Sequence, residues 1–115
     1  MDFSVIEKSF VGSYTAGQGI TGMHFTIIDC DEYGNIEAEL SFYEHYSNPG
    51  VPSGTYLMRG NVTRVGRDGS IITSMNGYKW ISRPGNYNML DFYQIEIDSQ
   101  YKHMSGAHAI DATAY

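Results

Sequence analysis

The chain of 115 residues reads as an all-β protein: about eight short antiparallel strands in an up-and-down β-barrel, with a β-sandwich as the alternative. Three observations predict this. Runs rich in β-branched and aromatic residues alternate with clusters of Gly, Asn, Asp and Pro at fairly regular spacing. Ten Tyr and 13 Gly take up what the charged residues, only 17%, leave open. No segment carries the apolar period of a long amphipathic helix. Closure into a barrel is favoured over a sandwich because it removes exposed sheet edges.

The first strand is read at 8–14, closed by the turn 15–19. The second, 20–29, places Met23, Phe25 and Ile27 on one face and His24, Thr26 and Ile28 on the other. Asp31 to Asn35 forms a hairpin turn around Gly34. Strand 36–44 has the clearest alternation, with Ile36, Ala38, Leu40 and Phe42 inward and Glu37, Glu39, Ser41 and Tyr43 outward. A stiff loop follows at 46–54, with Pro49 and Pro52 unable to serve inside a central strand. Strand 55–64 puts Tyr56, Met58 and Val62 on one face, interrupted at Gly60. Turns at Arg67-Asp68-Gly69 and Asn76-Gly77 bound strands 70–75 and 78–83. After Pro84-Gly85-Asn86 comes strand 87–97, where Leu90 and Phe92 have one parity and Ile95 and Ile97 the other. That switch predicts a bulge near Tyr93-Gln94. A last strand at 103–110 closes the structure.

The whole chain, 1–115, forms one domain, and this length buries roughly two-thirds of the unfolded surface without a disulfide or metal staple. Seven basic against 13 acidic side chains give a net charge of −6. A nucleic-acid polymer or an anionic membrane surface is therefore not an expected partner, since both are held mainly by Lys and Arg. The single cysteine, Cys30, cannot form an intramolecular disulfide and fits a reducing compartment. The opening residues include Asp2 and Glu7, unlike a signal peptide, and no apolar run approaches the roughly 18 residues of a membrane span. Asn61-Val62-Thr63 would then never meet the glycosylation machinery. The expectation is a soluble cytoplasmic protein.

Several motifs have plainer explanations. Gly17 to Gly22 matches G-x-G-x-x-G, but a dinucleotide site needs a helix next, and Met-His-Phe-Thr-Ile-Ile is strand-like. A glycine-rich hairpin turn accounts for it. Asp29 to Gly34 resembles the start of a calcium loop, yet Tyr33 and Leu40 stand where ligands are required. His24, His45, His103 and His108 lack metal spacing, and on one strand His103 and His108 point to opposite faces. Cys30, read as a turn residue, has neither a base nor a cationic neighbour to activate it. No metal and no cofactor are expected.

The aromatic and cationic residues say more. Tyr14, Tyr56, Tyr78, Trp80 and Tyr87 lie in strands or beside loops, with Arg59, Lys79 and Arg83 near them in sequence. Aromatic faces beside a guanidinium suit a planar or sugar-like ligand, although the same rings could equally form the core of a barrel poor in Leu. Parity turns Tyr56 and Trp80 inward and Arg59 outward, unless Gly60 bulges.

Asn48-Pro49-Gly50-Val51-Pro52-Ser53-Gly54-Thr55-Tyr56-Leu57-Met58-Arg59-Gly60, followed by Trp80-Ile81-Ser82-Arg83-Pro84-Gly85-Asn86-Tyr87-Asn88-Met89, resembles a small bacterial β domain of unassigned function. The likeness extends from Gly12 to Gly106 and implies relatedness without an activity. Gly12-Ser13-Tyr14 is also similar to the Gly-x-aromatic start of avidin and lipocalin barrels, a likeness of architecture only.

The function expected is non-catalytic binding or sequestration of a small polar or planar ligand, nucleotide-like in one form, at a barrel mouth. Its ligand residues would be Tyr14, Asn48, Ser53, Tyr56, Trp80, Arg83 and Tyr87, with Trp80 on the pocket floor. No catalytic residues are assigned. An oligomeric interaction module is the alternative, carried by Ile28, Leu57, Ile72 and Leu90 on outward faces. A third reading is a small hydrolase or isomerase using His45 with Glu44 or Asp91.

Overall fold

A computed structural model describes residues 3–6 and 8–115; Asp2 and Glu7, which entered the reading of the opening segment, lie outside them. After a short 3-10 turn, Phe3–Ile6, eight strands follow: β1 Ser9–Ala16, β2 Gly19–Cys30, β3 Asn35–Glu44, β4 Gly54–Val65, β5 Ile71–Ser82, β6 Asp91–Ile97, β7 His103–Gly106 and β8 Ile110–Ala114. Each pairs antiparallel with the next, and β8 pairs back onto β1 to close the barrel. The all-β class, the strand number and the up-and-down order are therefore as expected.

Alternation does most of the folding. Met23, Phe25 and Ile27 on β2 and Ile36, Ala38, Leu40 and Phe42 on β3 are all buried, while Glu37 and Glu39 lie on the outer wall. The two strands pair in one register from Thr21 opposite Glu44 to Ile27 opposite Ala38, then skip at Ile28, which is left exposed. Cys30 is the buried last residue of β2 rather than part of a turn. The β1–β8 seam closes tightly because Gly12 faces Ala112: a Cβ on Gly12 would stand 2.0 Å from the Asp111 carbonyl oxygen.

Three strand assignments differ from expectation. Asn76-Gly77 does not turn the chain; 70–75 and 78–83 belong to the continuous strand β5, which pairs along β4 from Thr55 opposite Ser82 to Val65 opposite Ile71. The register skips between Leu57 and Met58, so that Tyr78 is the extra residue of a bulge. Conversely, 103–110 is not one strand. Gly106, His108 and Ala109 all have positive φ and fold the chain into a tight hairpin between β7 and β8. His103 and His108 thus lie on different elements. One fusion and one division leave the count at eight. The bulge at Tyr93-Gln94 is present: Phe92 opposes Met75, Ile95 opposes Thr73, and Gln94 has a φ of 58°. Residues 87–90, expected to begin that strand, form a loop instead.

The barrel's interior is apolar, and its outer wall carries Glu37, Glu39, Arg59, Lys79 and Glu96. That polarity is the reverse of a lipid-facing barrel. No helix among the described residues is long and apolar enough to cross a membrane.

Candidate functional site

Strand direction sorts the connections into two sets. The turn at 17–18 and the loops 45–53 and 83–90 gather at one end of the barrel, with the β7–β8 hairpin. The turns at 31–34, 66–70 and 98–102 lie at the other, with the segment that precedes β1.

The first end holds a cleft of about 360 Å³. Its floor is Tyr14, Phe42 and Tyr56, rings from β1, β3 and β4 that are only about 1–2% exposed and so present edges to the space. Gln18 stands on one side, in the Gly17-Gln18 turn, and its side chain hydrogen-bonds the Tyr14 hydroxyl while donating to Thr21 Oγ1 at 3.1 Å. Asn86, Tyr87, Asn88 and Leu90 line the other side from loop 83–90.

That loop is seated by specific contacts. Tyr87 stacks on Phe42 with ring centroids 5.8 Å apart and planes 10° from parallel. Its carbonyl accepts the Arg83 Nε–H at 2.9 Å, and its N–H donates to the Pro84 carbonyl at 3.3 Å. The Leu90 N–H donates to the Tyr56 hydroxyl at 3.0 Å. Gly54 makes room for the arrangement, since a Cβ there would stand 2.5 Å from the Phe42 ring and 2.7 Å from Pro84.

The two floor phenols are firmly neutral. Burial pushes Tyr56 up to about 12, with Asp91 adding to the effect. Burial raises Tyr14 further still, reinforced by Tyr56. A desolvated phenolate has no compensating cation there, so both rings keep their proton and act as hydrogen-bonding hydroxyls.

Of the residues expected to bind ligand, the structure brings Tyr14, Tyr56 and Tyr87 together at this cleft. Asn48, Ser53, Trp80 and Arg83 stand outside its lining. Asn48 ties two hairpins together, its Nδ2 donating to the carbonyls of Gln18 at 2.8 Å and Ile20 at 3.0 Å. Ser53 is exposed on the same rim. Trp80 faces inward opposite Tyr56 but packs behind the floor, edge-on to Tyr56 at 5.1 Å and to Phe42 at 6.2 Å, so it is not the floor itself. Arg83 is committed to the loop through Tyr87, its guanidinium 5.7 Å from the Trp80 ring. Gln18, Phe42, Asn86, Asn88 and Leu90 were not anticipated as ligand residues. Leu90, taken as an outward residue, lines the cleft instead.

The other residues singled out have local partners. The Arg59 guanidinium lies 3.6 Å from the Tyr78 ring centroid and 3.6 Å from Glu37, and the Tyr78 hydroxyl donates to Glu37. The bulge thus sets Tyr78 on the outer wall although it shares sequence parity with Trp80. His45 Nδ1 pairs with Ser47 Oγ at 2.7 Å. Glu44 accepts the Gly50 N–H at 2.9 Å, and Asp91 accepts the Gly77 N–H at 3.3 Å. The Asp31 carboxylate takes the N–H groups of Tyr33 and Asn35, each at 2.9 Å, and the Asn35 side-chain amide at 2.8 Å, building its own turn. Gly17 to Gly22 is the β1–β2 hairpin, and a strand follows it.

Compared with family models, curated proteins and solved structures, the chain matches none. The chemistry of the cleft has to be read from its own atoms.

Proposed function

We propose that this barrel binds a small polar ligand with a flat ring at the mouth formed by residues 17–18 and 83–90, without turning it over. The observation that carries the reading is the cleft itself, where an aromatic floor meets phenol and amide groups on both sides. Apolar walls with a few convergent polar groups are the usual make-up of a small-molecule site. The sequence motif supports the same place. Asn48 clamps its rim, Gly54 admits Pro84, Tyr56 floors it, Trp80 backs that floor and Tyr87 walls it. The proposed kinship with the small bacterial β domain would then centre on this mouth.

A thermal-shift screen of nucleosides, nucleotides and sugars tests the proposal. A ligand at a hundred times its Kd should raise stability by about 2.7 kcal/mol. Tyr87→Ala should abolish that gain while the free protein still unfolds cooperatively. No stabilisation near millimolar concentrations would overturn the reading.

A second reading, self-association, is favoured by Ile28 and Val11, which stand 49% and 44% exposed on the outer wall. Leu57 and Ile72, named with Ile28 beforehand, are half-buried. Light scattering that reports a monomer at high concentration would remove it.

A further inference from the structure

Resting on the reading of the mouth as a ligand site, we infer that the cleft selects an uncharged ring bearing hydrogen-bonding edges over the phosphorylated form of that ring. Among the described residues, its lining contains no Lys, Arg, His, Asp or Glu. Every polar side chain in it is a phenol or an amide: Tyr14, Tyr56, Tyr87, Gln18, Asn86 and Asn88.

An anion entering this space exchanges water for neutral dipoles and gains no ion pair, which is the costly way to bury a charge. The Arg83 guanidinium, outside the lining, already donates its Nε–H to the Tyr87 carbonyl. The long-range field works in the same direction, because a chain of net charge −6 repels anions before they arrive. A cation fares no better inside, having no carboxylate in the lining to meet. The raised phenol values agree, since neither floor hydroxyl ionises in the neutral range.

The preference for a flat ring comes from Tyr87. Among the ring pairs of the described residues, Tyr87 on Phe42 is the one parallel stack; the others are tilted or edge-on. The face of Phe42 toward the mouth is therefore already covered by a neutral ring with a polar edge, supplied by the chain itself. A nucleobase and a sugar ring share that chemistry.

Isothermal titration of the whole protein with matched pairs separates them: adenosine with adenosine 5′-monophosphate, and methyl glucoside with glucose 6-phosphate. The expected result is that the uncharged member of at least one pair binds, with its phosphorylated partner about tenfold weaker or worse. Which pair responds distinguishes a nucleobase from a sugar. Equal or tighter binding of the phosphorylated member overturns the selectivity and leaves the binding reading standing. Silence from both pairs, after a silent thermal-shift panel, overturns the binding reading and the selectivity with it. Asn88→Lys gives a second check, because the residue is exposed and its replacement leaves the barrel intact. A cation in the lining should narrow or invert the preference, and an unchanged ratio would overturn the claim that missing charge sets it.

Discussion

At the end of the barrel where β2 turns into β3, the chain plugs its own mouth: the 3-10 turn Phe3–Ile6 buries Ile6 in the core and brings the Phe3 ring against Gly34. At the opposite end the covers are loops, with Val51 of loop 45–53 packed against the core. Loop 83–90 leans Tyr87 onto Phe42 and leaves a cleft beside it. Both ends must shield the same kind of apolar lumen. One does so with an aliphatic side chain packed into the lumen, and the cleft of about 530 Å³ at that end lies outside the lumen, lined by Asp29, Asp31, Asn35, Glu37 and Arg59. The other uses rings and amides, which shield the core while keeping hydrogen-bonding groups at the surface. The contrast teaches what reaches an apolar lumen: a packed side chain seals it from solvent, whereas a loop of rings and amides leaves hydrogen-bonding groups beside the core.

The comparison can be broken most sharply at the plug. Ile6→Ala should cost about 2–4 kcal/mol in urea denaturation, the usual range for deleting a buried Ile side chain. Affinity at the cleft should be unchanged. A loss under about 1 kcal/mol would mean that the turn is not part of the cooperative core.

Tyr56→Phe should cost about 1–2 kcal/mol by removing the acceptor of the Leu90 N–H, and amide exchange at Leu90 should quicken. The same residue gives the cleft end a signature in base. Its folded value, about 12, is raised above the ordinary 10.0, so its stabilising contribution is full below 10.0 and is lost as pH rises towards 12. The Phe variant should therefore lose less stability over that window, and parallel curves for the two proteins would contradict the assignment.

Trp80→Phe should lower stability by on the order of 1 kcal/mol through its lost edge contacts with Tyr56 and Phe42. Ligand affinity should stay the same, because the indole backs the floor without lining the cleft. A mutant that binds more weakly at full stability would move Trp80 into the site.

The smallest effect belongs to the plugged end, in acid. Hydrogen bonds from the Asn35 side chain and backbone hold Asp31 below its ordinary 3.8. Its contribution is present above 3.8 and fades as pH falls through the lower folded value. Asp31→Ala should flatten the acid limb slightly below 3.8 and leave the alkaline limb untouched; an altered alkaline limb would show that the two ends are coupled.

Much of the wall was legible in one dimension. On β2 and β3 strict alternation names the buried face residue by residue, and the parity switch between Phe92 and Ile95 locates a bulge, because each inward position must be apolar. Asn76-Gly77 misleads for a definite reason. The dipeptide is a strong local turn signal, yet β4 offers a long partner that keeps β5 extended, and the strain is taken up as a bulge at Tyr78. The cleft was only half visible. Aromatic type pointed to Tyr14, Tyr56 and Tyr87. Gln18 lay inside a glycine motif explained as a turn, and Asn86 inside a loop noted for its Pro and Gly. An amide in a turn carries no mark that distinguishes a site wall from an ordinary solvated residue.

By itself, the sequence determined the class, the inward residues of the regular strands and the stiffness of the rim, since alternation, glycine and proline act over a few neighbouring residues. Only the tertiary structure decided which hairpins share an end, that Trp80 backs the floor while Tyr78 turns outward, and that no charged side chain among the described residues lines the cleft. Those outcomes depend on barrel closure and on single-residue register shifts between β4, β5 and β6, where pairing energy across strands outweighs the preference of any short segment.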